Sequence, residues 1–144
     1  MKGIHEEIQK WNAFRDKKKE GVRPFVLRKE MKKIMDRYLG PNRNANGMEK
    51  AIQMMLDLRK NGVPRMEVAG AGNFFNTDWR SAVETEKSIE LSELVIRSAL
   101  FRKETRGHHF RSDYPKALET PQHTLITRKG DAVEVAARPV KTLG

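Results

Sequence analysis

The densest group of chemically capable side chains in this sequence lies in Arg102-Lys103-Glu104-Thr105-Arg106-Gly107-His108-His109-Phe110-Arg111-Ser112-Asp113-Tyr114-Pro115. Within it, Arg106, His109, Arg111 and Asp113 are the candidate site residues. Arginine presents a planar fork of donors that matches carboxylate and phosphate oxygens two at a time. Such a group serves one of two ends: a hydrogen-bonded network packing a helix end against the loop after it, or a set of donors aimed at a neighbouring domain or an anionic ligand. Three donor-rich side chains repel one another unless acceptors face them, and Asp113 alone does not supply enough. The sequence therefore favours the interdomain or anion-facing patch, formed by Arg106, His109 and Arg111 with support from Asp113. Part of that patch is expected at the surface of this chain alone, where single alanine substitutions cost no more than about 0.5 kcal/mol. Gly107 permits a positive φ or a close backbone approach.

Other constellations are weaker. His108, His109 and Asp113 are metal-ligand types, but adjacent side chains diverge and no third nitrogen or sulfur ligand is spaced nearby, whereas zinc wants four protein ligands or three plus water. Gly70-Ala71-Gly72 resembles the start of a dinucleotide fingerprint, yet Phe75 stands where a further small residue is required and no βαβ unit follows, so it reads as a loop turn. No Ser/His/Asp or Cys/His set is present, and no pair of carboxylates is spaced for acid–base work. The expectation is no catalytic, cofactor-binding or metal-ligating residue in this chain.

The elements that must position the Arg102–Pro115 segment are mainly helical. Ile4, Ile8, Trp11 and Phe14 recur at helical spacing and predict an amphipathic helix over 4–19, ended by Glu20-Gly21. Pro24 opens a second helix with Leu27, Met31, Ile34, Met35 and Tyr38 on one face, terminated by Gly40-Pro41. Asn44, Asn46 or Gly47 leads into a third, with Met48, Ala51, Ile52, Met55 and Leu56 inward and Asn61-Gly62 as its stop. Asp78 or Thr77 is the expected N-cap of the fourth and longest helix, whose inner face would carry Ala82, Val83, Ile89, Leu94 and Leu100, interrupted by Glu86. After Tyr114-Pro115 the period changes: 123–127 and 132–135 read as two strands around a glycine-containing turn, with Pro139 ending the second or holding it at an edge. The methionines on inner helix faces read as core filler. The predicted fold is mainly α: an antiparallel three- to four-helix bundle, spectrin-repeat-like, with a short C-terminal β-hairpin. One domain spans 1–144, with 1–22 a first helix or an insertion, 23–115 the bundle and 116–144 an extension bearing the hairpin.

Composition narrows the functional classes. At 144 residues the chain is long enough to bury a core without staples. A net charge of +10 is the footprint of a nucleic-acid binder, but the charge is spread over Lys17-Lys18-Lys19, Arg28 to Lys33 and Arg97 to Arg111 rather than held in one block. DNA is not an expected partner, and a basic nucleic-acid-binding helical domain stands as the rival reading. No apolar run approaches the roughly 18 residues that span a bilayer. Glu6 and Glu7 stand where a secretory leader would be apolar. There is no cysteine, hence no disulfide framework and no thiolate metal or Fe–S site.

The segment from Asn76-Thr77-Asp78 to Pro115 resembles the C-terminal domain of succinate dehydrogenase and fumarate reductase flavoprotein subunits. There an Asn-Thr-Asp motif starts a helix that finishes in Arg-Lys-Glu-Ser-Arg-Gly-Ala-His-x-Arg-x-Asp-x-Pro. Thr105 replaces the Ser and His108 the Ala. The likeness runs from about Arg23 onward. Arg23-Pro24 with Leu27, Met31 and Met35 resembles a family helix, Gly40-Pro41-Asn42-Arg43 the turn after it, and Gly47-Met48-Glu49-Lys50-Ala51 the next element. His123-Thr124-Leu125 and Arg138-Pro139-Val140 resemble the family's ending, with Ala137 in place of Tyr. The resemblance implies a helical domain that packs on an N-terminal flavin domain of the same protein and supports assembly with an iron–sulfur subunit. It places FAD in the parent enzyme and not in this chain, with succinate–fumarate interconversion belonging to the whole enzyme. It implies a cytoplasmic location, or a peripheral one at the inner membrane face through partner subunits. L-aspartate oxidase and adenylylsulfate reductase have related helical domains and are the alternatives, which the hairpin ending favours less.

Overall fold

A computed structural model describes residues 2–14, 21–69, 76–130 and 132–140. The Lys17-Lys18-Lys19 cluster and the Gly70-Ala71-Gly72 turn with Phe75 lie outside the described residues. Among the described residues four α-helices are followed by a hairpin: α1 (Lys2–Asn12), α2 (Pro24–Leu39), α3 (Ala45–Asp57) and α4 (Thr77–Phe101). Helices α2, α3 and α4 each pack on the other two. Their inner faces form one core in which Leu27, Met31, Ile34, Met48, Ala51, Ile52, Met55, Ala82, Ile89 and Ile96 are buried. Four of those positions follow the predicted stripe of α3, and three that of α2. Buried Met31, Met48, Met55 and Met66 fill irregular space between the helices.

Local signals set most boundaries. Pro24 occupies the first turn of α2, where its missing N–H costs nothing. The Asn44 side chain caps α3, accepting from Gly47 N at 2.8 Å. Helix α3 runs into one wide π-helical turn over Leu58–Gly62 and a 3₁₀ turn over Val63–Arg65, so Asn61-Gly62 ends the wide turn and not the α-helix. The cap of α4 is Asn76, whose side chain accepts from Trp79 N at 3.0 Å, and neither Thr77 nor Asp78. Asp78 instead sits in the first turn, where a carboxylate suits the helix dipole, and holds Arg23 at 2.6 Å.

Two elements depart from the sequence reading. Helix α1 ends at Asn12 as a described helix, and its predicted inner face is only partly covered: Phe14 is buried and Trp11 half-buried, while Ile4 and Ile8 are 65% and 45% exposed. The helix docks by polar contacts instead. Lys10 and the Trp11 indole N–H (3.1 Å) both bond to the Glu86 carboxylate, and the Trp79 indole donates to the Trp11 carbonyl. A buried carboxylate without a partner costs several kcal/mol, comparable to leaving two isoleucines uncovered. In α4 the buried residues are Ala82, Thr85, Glu86, Ile89, Ser92, Glu93, Ile96 and Ala99, while Leu91 is 61% exposed. The helical spacing of that face is regular. Its polar members hid it from a reading of apolar residues alone, and Val83, Leu94 and Leu100 are half-buried beside it. Glu93 is balanced by Arg59 at 3.0 Å and Arg97 at 2.8 Å.

Two short pairings complete the fold. Strand β1 (Asn42–Arg43) pairs in parallel with β2 (Phe110–Arg111), a contact the sequence reading did not contain. Strands β3 (Gln122–Lys129) and β4 (Ala132–Pro139) form the antiparallel hairpin, longer than predicted, with Gly130 at φ +60 in its turn and Pro139 at its end. Alternate residues Gln122, Thr124, Ile126 and Arg128, with Val133 and Val135 opposite them, form the half-buried face, and the hairpin packs on α4.

Candidate functional site

Helix α4 must end with its last carbonyls unbonded, and the end falls at Phe101 among packed elements. Arg111, one of the most completely buried side chains of the molecule at 1% exposure, closes it. Its Nη1 donates to the carbonyls of Ala99 (3.2 Å), Leu100 (3.0 Å) and Arg102 (3.1 Å). Its Nε and Nη2 donate to the two carboxylate oxygens of Asp113 at 2.7 and 2.6 Å. Asp113 in turn accepts from Ala45 N, the first residue of α3, at 2.9 Å. One ion pair thus sets a cation at the C-terminus of α4 and an anion at the N-terminus of α3, the signs both helix dipoles favour. The Arg111 guanidinium holds the Asp113 carboxyl far below the usual carboxylate range. The Tyr114 ring lies 4.9 Å from the same guanidinium.

His109 is buried beside this pair. Its Nε2 lies 3.1 Å from the Arg102 carbonyl, which can only accept, and its Nδ1 lies 3.1 Å from Nη1 of Arg43, which can only donate. The two neighbours therefore fix the neutral tautomer with the proton on Nε2. Burial lowers its proton affinity, and the positive charges of Arg102, Arg43 and Arg111 lower it further, against the Arg102 carbonyl bond that raises it. Arg43 arrives through the β1–β2 pairing, which Ser112 N extends by donating to the Arg43 carbonyl at 2.9 Å.

Arg106 is partly exposed and serves a second carboxylate. Glu104, 1% exposed, accepts from Arg102 Nη2 (2.7 Å), Arg106 Nε (2.9 Å) and Leu118 N (3.2 Å). Burial would raise its pKa, but the Arg102 and Arg106 bonds prevail and bring it down to about 2. Arg106 Nη2 also donates to the Leu118 carbonyl. The backbones of Arg106 and His109 bond to each other in both directions, at 2.9 and 3.0 Å, around Gly107 at φ +57. That turn requires the left-handed conformation the sequence had allowed for. Thr105 donates its hydroxyl to the Tyr114 carbonyl and accepts from Arg111 N, both at 2.9 Å, a role a serine hydroxyl fills equally.

All four residues singled out by sequence are therefore in one place. The acceptors that seemed missing are Glu104 and the carbonyls of the α4 terminus. Glu104, Arg102 and Arg43 belong to the network and were not singled out. The alternation Arg102-Glu104-Arg106 was a readable signal, because residues two apart share a side in extended backbone. Arg43 left no local signal, being 66 positions from His109. His108 is exposed, so its replacement of a small residue in the motif falls on the surface. Among the described residues, no group of three or more His, Cys, Asp or Glu could hold a metal ion. No described helix is long and apolar enough to cross a membrane.

The helical domain with its C-terminal hairpin is a fold shared with known proteins. The C-terminal domain family of fumarate reductase flavoproteins matches residues 28–143, and this chain belongs to that family. The fumarate reductase flavoprotein subunit of Haemophilus influenzae is 30% identical over 118 residues, covering 80% of this chain and 20% of that protein. The L-aspartate oxidase of Halalkalibacterium halodurans is 32% identical over 133 residues, covering 88% of this chain and 23% of its own length. In structure, the quinol fumarate reductase flavoprotein of E. coli superimposes with a TM-score of 0.84 over 99% of this chain and 25% of that one, at 23% identity, a likeness of fold. The chain spans about a fifth of the length of the curated relatives it matches.

Proposed function

We propose that this chain acts as the C-terminal helical domain of an FAD-dependent succinate dehydrogenase or fumarate reductase flavoprotein, with succinate–fumarate interconversion a property of the whole enzyme. The observation that carries this reading is the network of Glu104, Arg106, His109, Arg111 and Asp113, built from the same residues that carry the family motif. Among the described residues there is no strand–glycine turn–helix unit to hold a dinucleotide, so no step of flavin chemistry is assigned to this chain. Its role in the proposal is to dock on a flavin-bearing domain, with the half-exposed edge of the Arg106–Asp113 group turned toward that domain, and to support assembly with an iron–sulfur subunit. A cytoplasmic site, peripheral to a membrane through partner subunits, belongs to the same proposal.

The test is direct. The purified chain is expected to be colourless, to reduce no fumarate with a reduced dye, and to bind a flavin-bearing polypeptide of this family when the two are co-expressed. Stoichiometric flavin absorbance in the chain alone would overturn the reading. A second reading, the same domain in an L-aspartate oxidase, rests on the identity noted above. It is separated by whether the assembled protein turns over L-aspartate or succinate.

A further inference from the structure

Beside the saturated network lies a second group of donor side chains, two arginines and two histidines, in which Arg102 and both imidazoles keep polar atoms without a described partner. A cleft of about 470 Å³ opens between the end of α4, the β1–β2 pairing and the start of β3. Arg43, Arg102, His108 and His123 line it together with the hydroxyl-bearing Ser98 and Thr124, and no carboxylate does among the described residues. Three stretches of the sequence supply these groups, Arg43, the span from Ser98 to His109, and Gln122 to Thr124, and the tertiary fold brings them together. Arg102 gives Nη2 to Glu104, and among the described residues no acceptor meets its Nε or Nη1. His108 and His123 are exposed, with no described partner for either ring. The nearby helix carbonyls, which would repel an anion, are already covered by Arg111 and His109. The low proton affinity of His109 follows first from burial and then from the positive field of Arg102, Arg43 and Arg111.

We infer that this cleft is a binding site for a tetrahedral oxyanion, a phosphate group either free or carried as a monoester. Donors arriving from several elements suit a tetrahedral anion, which accepts in several directions, better than a planar carboxylate, which accepts in one plane. Two hydroxyls add neutral donors, and the concave shape with its one sign of charge concentrates anions within it. The inference does not depend on the flavoprotein reading, since it concerns groups this chain holds by itself.

The experiment is an NMR and calorimetric titration of the full chain in chloride buffer with inorganic phosphate, adenosine monophosphate and acetate. Saturable one-site binding of phosphate in the millimolar range or tighter, with the imidazole signals of His108 and His123 moving together, is the expected result. Equal affinity for phosphate and the monoester assigns the site to the free ion, and a clear preference for the monoester assigns it to a phosphorylated small molecule. Either supports the inference. The double substitution His108→Ala with His123→Ala touches exposed side chains, so the melting curve stays the same while affinity falls roughly fivefold or more. Arg102→Gln also weakens binding but disturbs Glu104, and the histidine pair therefore decides. A linear response to phosphate, binding unchanged in the histidine pair, or acetate bound more tightly than phosphate would each overturn it.

Discussion

Arg111 shows what a single side chain can hold together. Removing it leaves the Ala99 and Leu100 carbonyls at the end of α4 without their donor and takes the fork from the Asp113 carboxylate, whose side chain is 30% exposed. Leaving a buried carbonyl without its donor costs about 1–3 kcal/mol, so Arg111→Ala, which removes the donor of two, is expected to destabilise the chain by roughly 2–4 kcal/mol in urea unfolding. Arg111→Lys retains the charge but not the fork, and falls between the two. This is several times the surface-position cost expected from sequence, because that expectation set Arg111 among partly exposed residues and the structure buries it. His109 gives a pH dependence whose sign follows from its depressed proton affinity. Above its ordinary pKa of 6.5 it is neutral folded and unfolded alike, and its contribution is fully present. As pH falls below that value the unfolded chain takes up a proton that the folded chain refuses, so stability declines until the folded pKa is passed. Melting temperatures measured from pH 7.5 downward should show this loss, and His109→Gln should reduce it. A melting temperature that rises on acidification through this range would refute the assignment of the neutral tautomer.

At the level of elements, the helices start where short polar side chains satisfy free N–H groups and end where other elements satisfy free carbonyls. Asn44 caps α3 locally, while Asp113 reaches the same helix start from 68 positions away. Asn44→Ala is expected to cost about 1 kcal/mol, the usual worth of an N-cap, seen as a lower denaturation midpoint with unchanged slope. A larger loss would mean that the cap also holds the β1 strand in place beside it. Helix α4 illustrates a different balance. It buries Glu86 and Glu93, seven residues apart on one face, and each draws in a cation from another element: Lys10 of α1 for the first and Arg59 of the wide turn for the second. The position of α1 follows from that requirement more than from its own apolar residues.

Over the whole molecule, one core is shared by α2, α3 and α4, and the hairpin is laid against α4 without entering that core. A two-stranded hairpin is marginal alone in water, and its half-buried face gains stability from α4, including the Arg128–Glu90 ion pair. A chain ending at Thr120 retains both Leu118 contacts with Glu104 and Arg106. It is therefore expected to unfold cooperatively with its helical circular dichroism intact, at a lower temperature. A non-cooperative melt would show that the hairpin is part of the folding unit itself.

The sequence by itself determined the helices of the bundle, the hairpin, the glycine turn at 107 and the family, because these rest on local information. Apolar spacing, Pro24, Asn44, Gly107 and Gly130 act on neighbouring residues and leave their trace in order along the chain. It also gathered Arg106, His109, Arg111 and Asp113, which lie within eight consecutive positions. Only the tertiary structure decided what those charges face. A sequence counts cations and anions, but whether Arg111 meets solvent, another domain or the open end of α4 depends on where that helix stops in space. The same holds for Arg43, brought to His109 by two residues of parallel pairing, and for Ile4 and Ile8, left outside while Trp11 of the same stripe reaches Glu86. Electrostatic partners are chosen by distance in the fold, and at low dielectric the cost of an unpaired charge outweighs that of an uncovered methyl group.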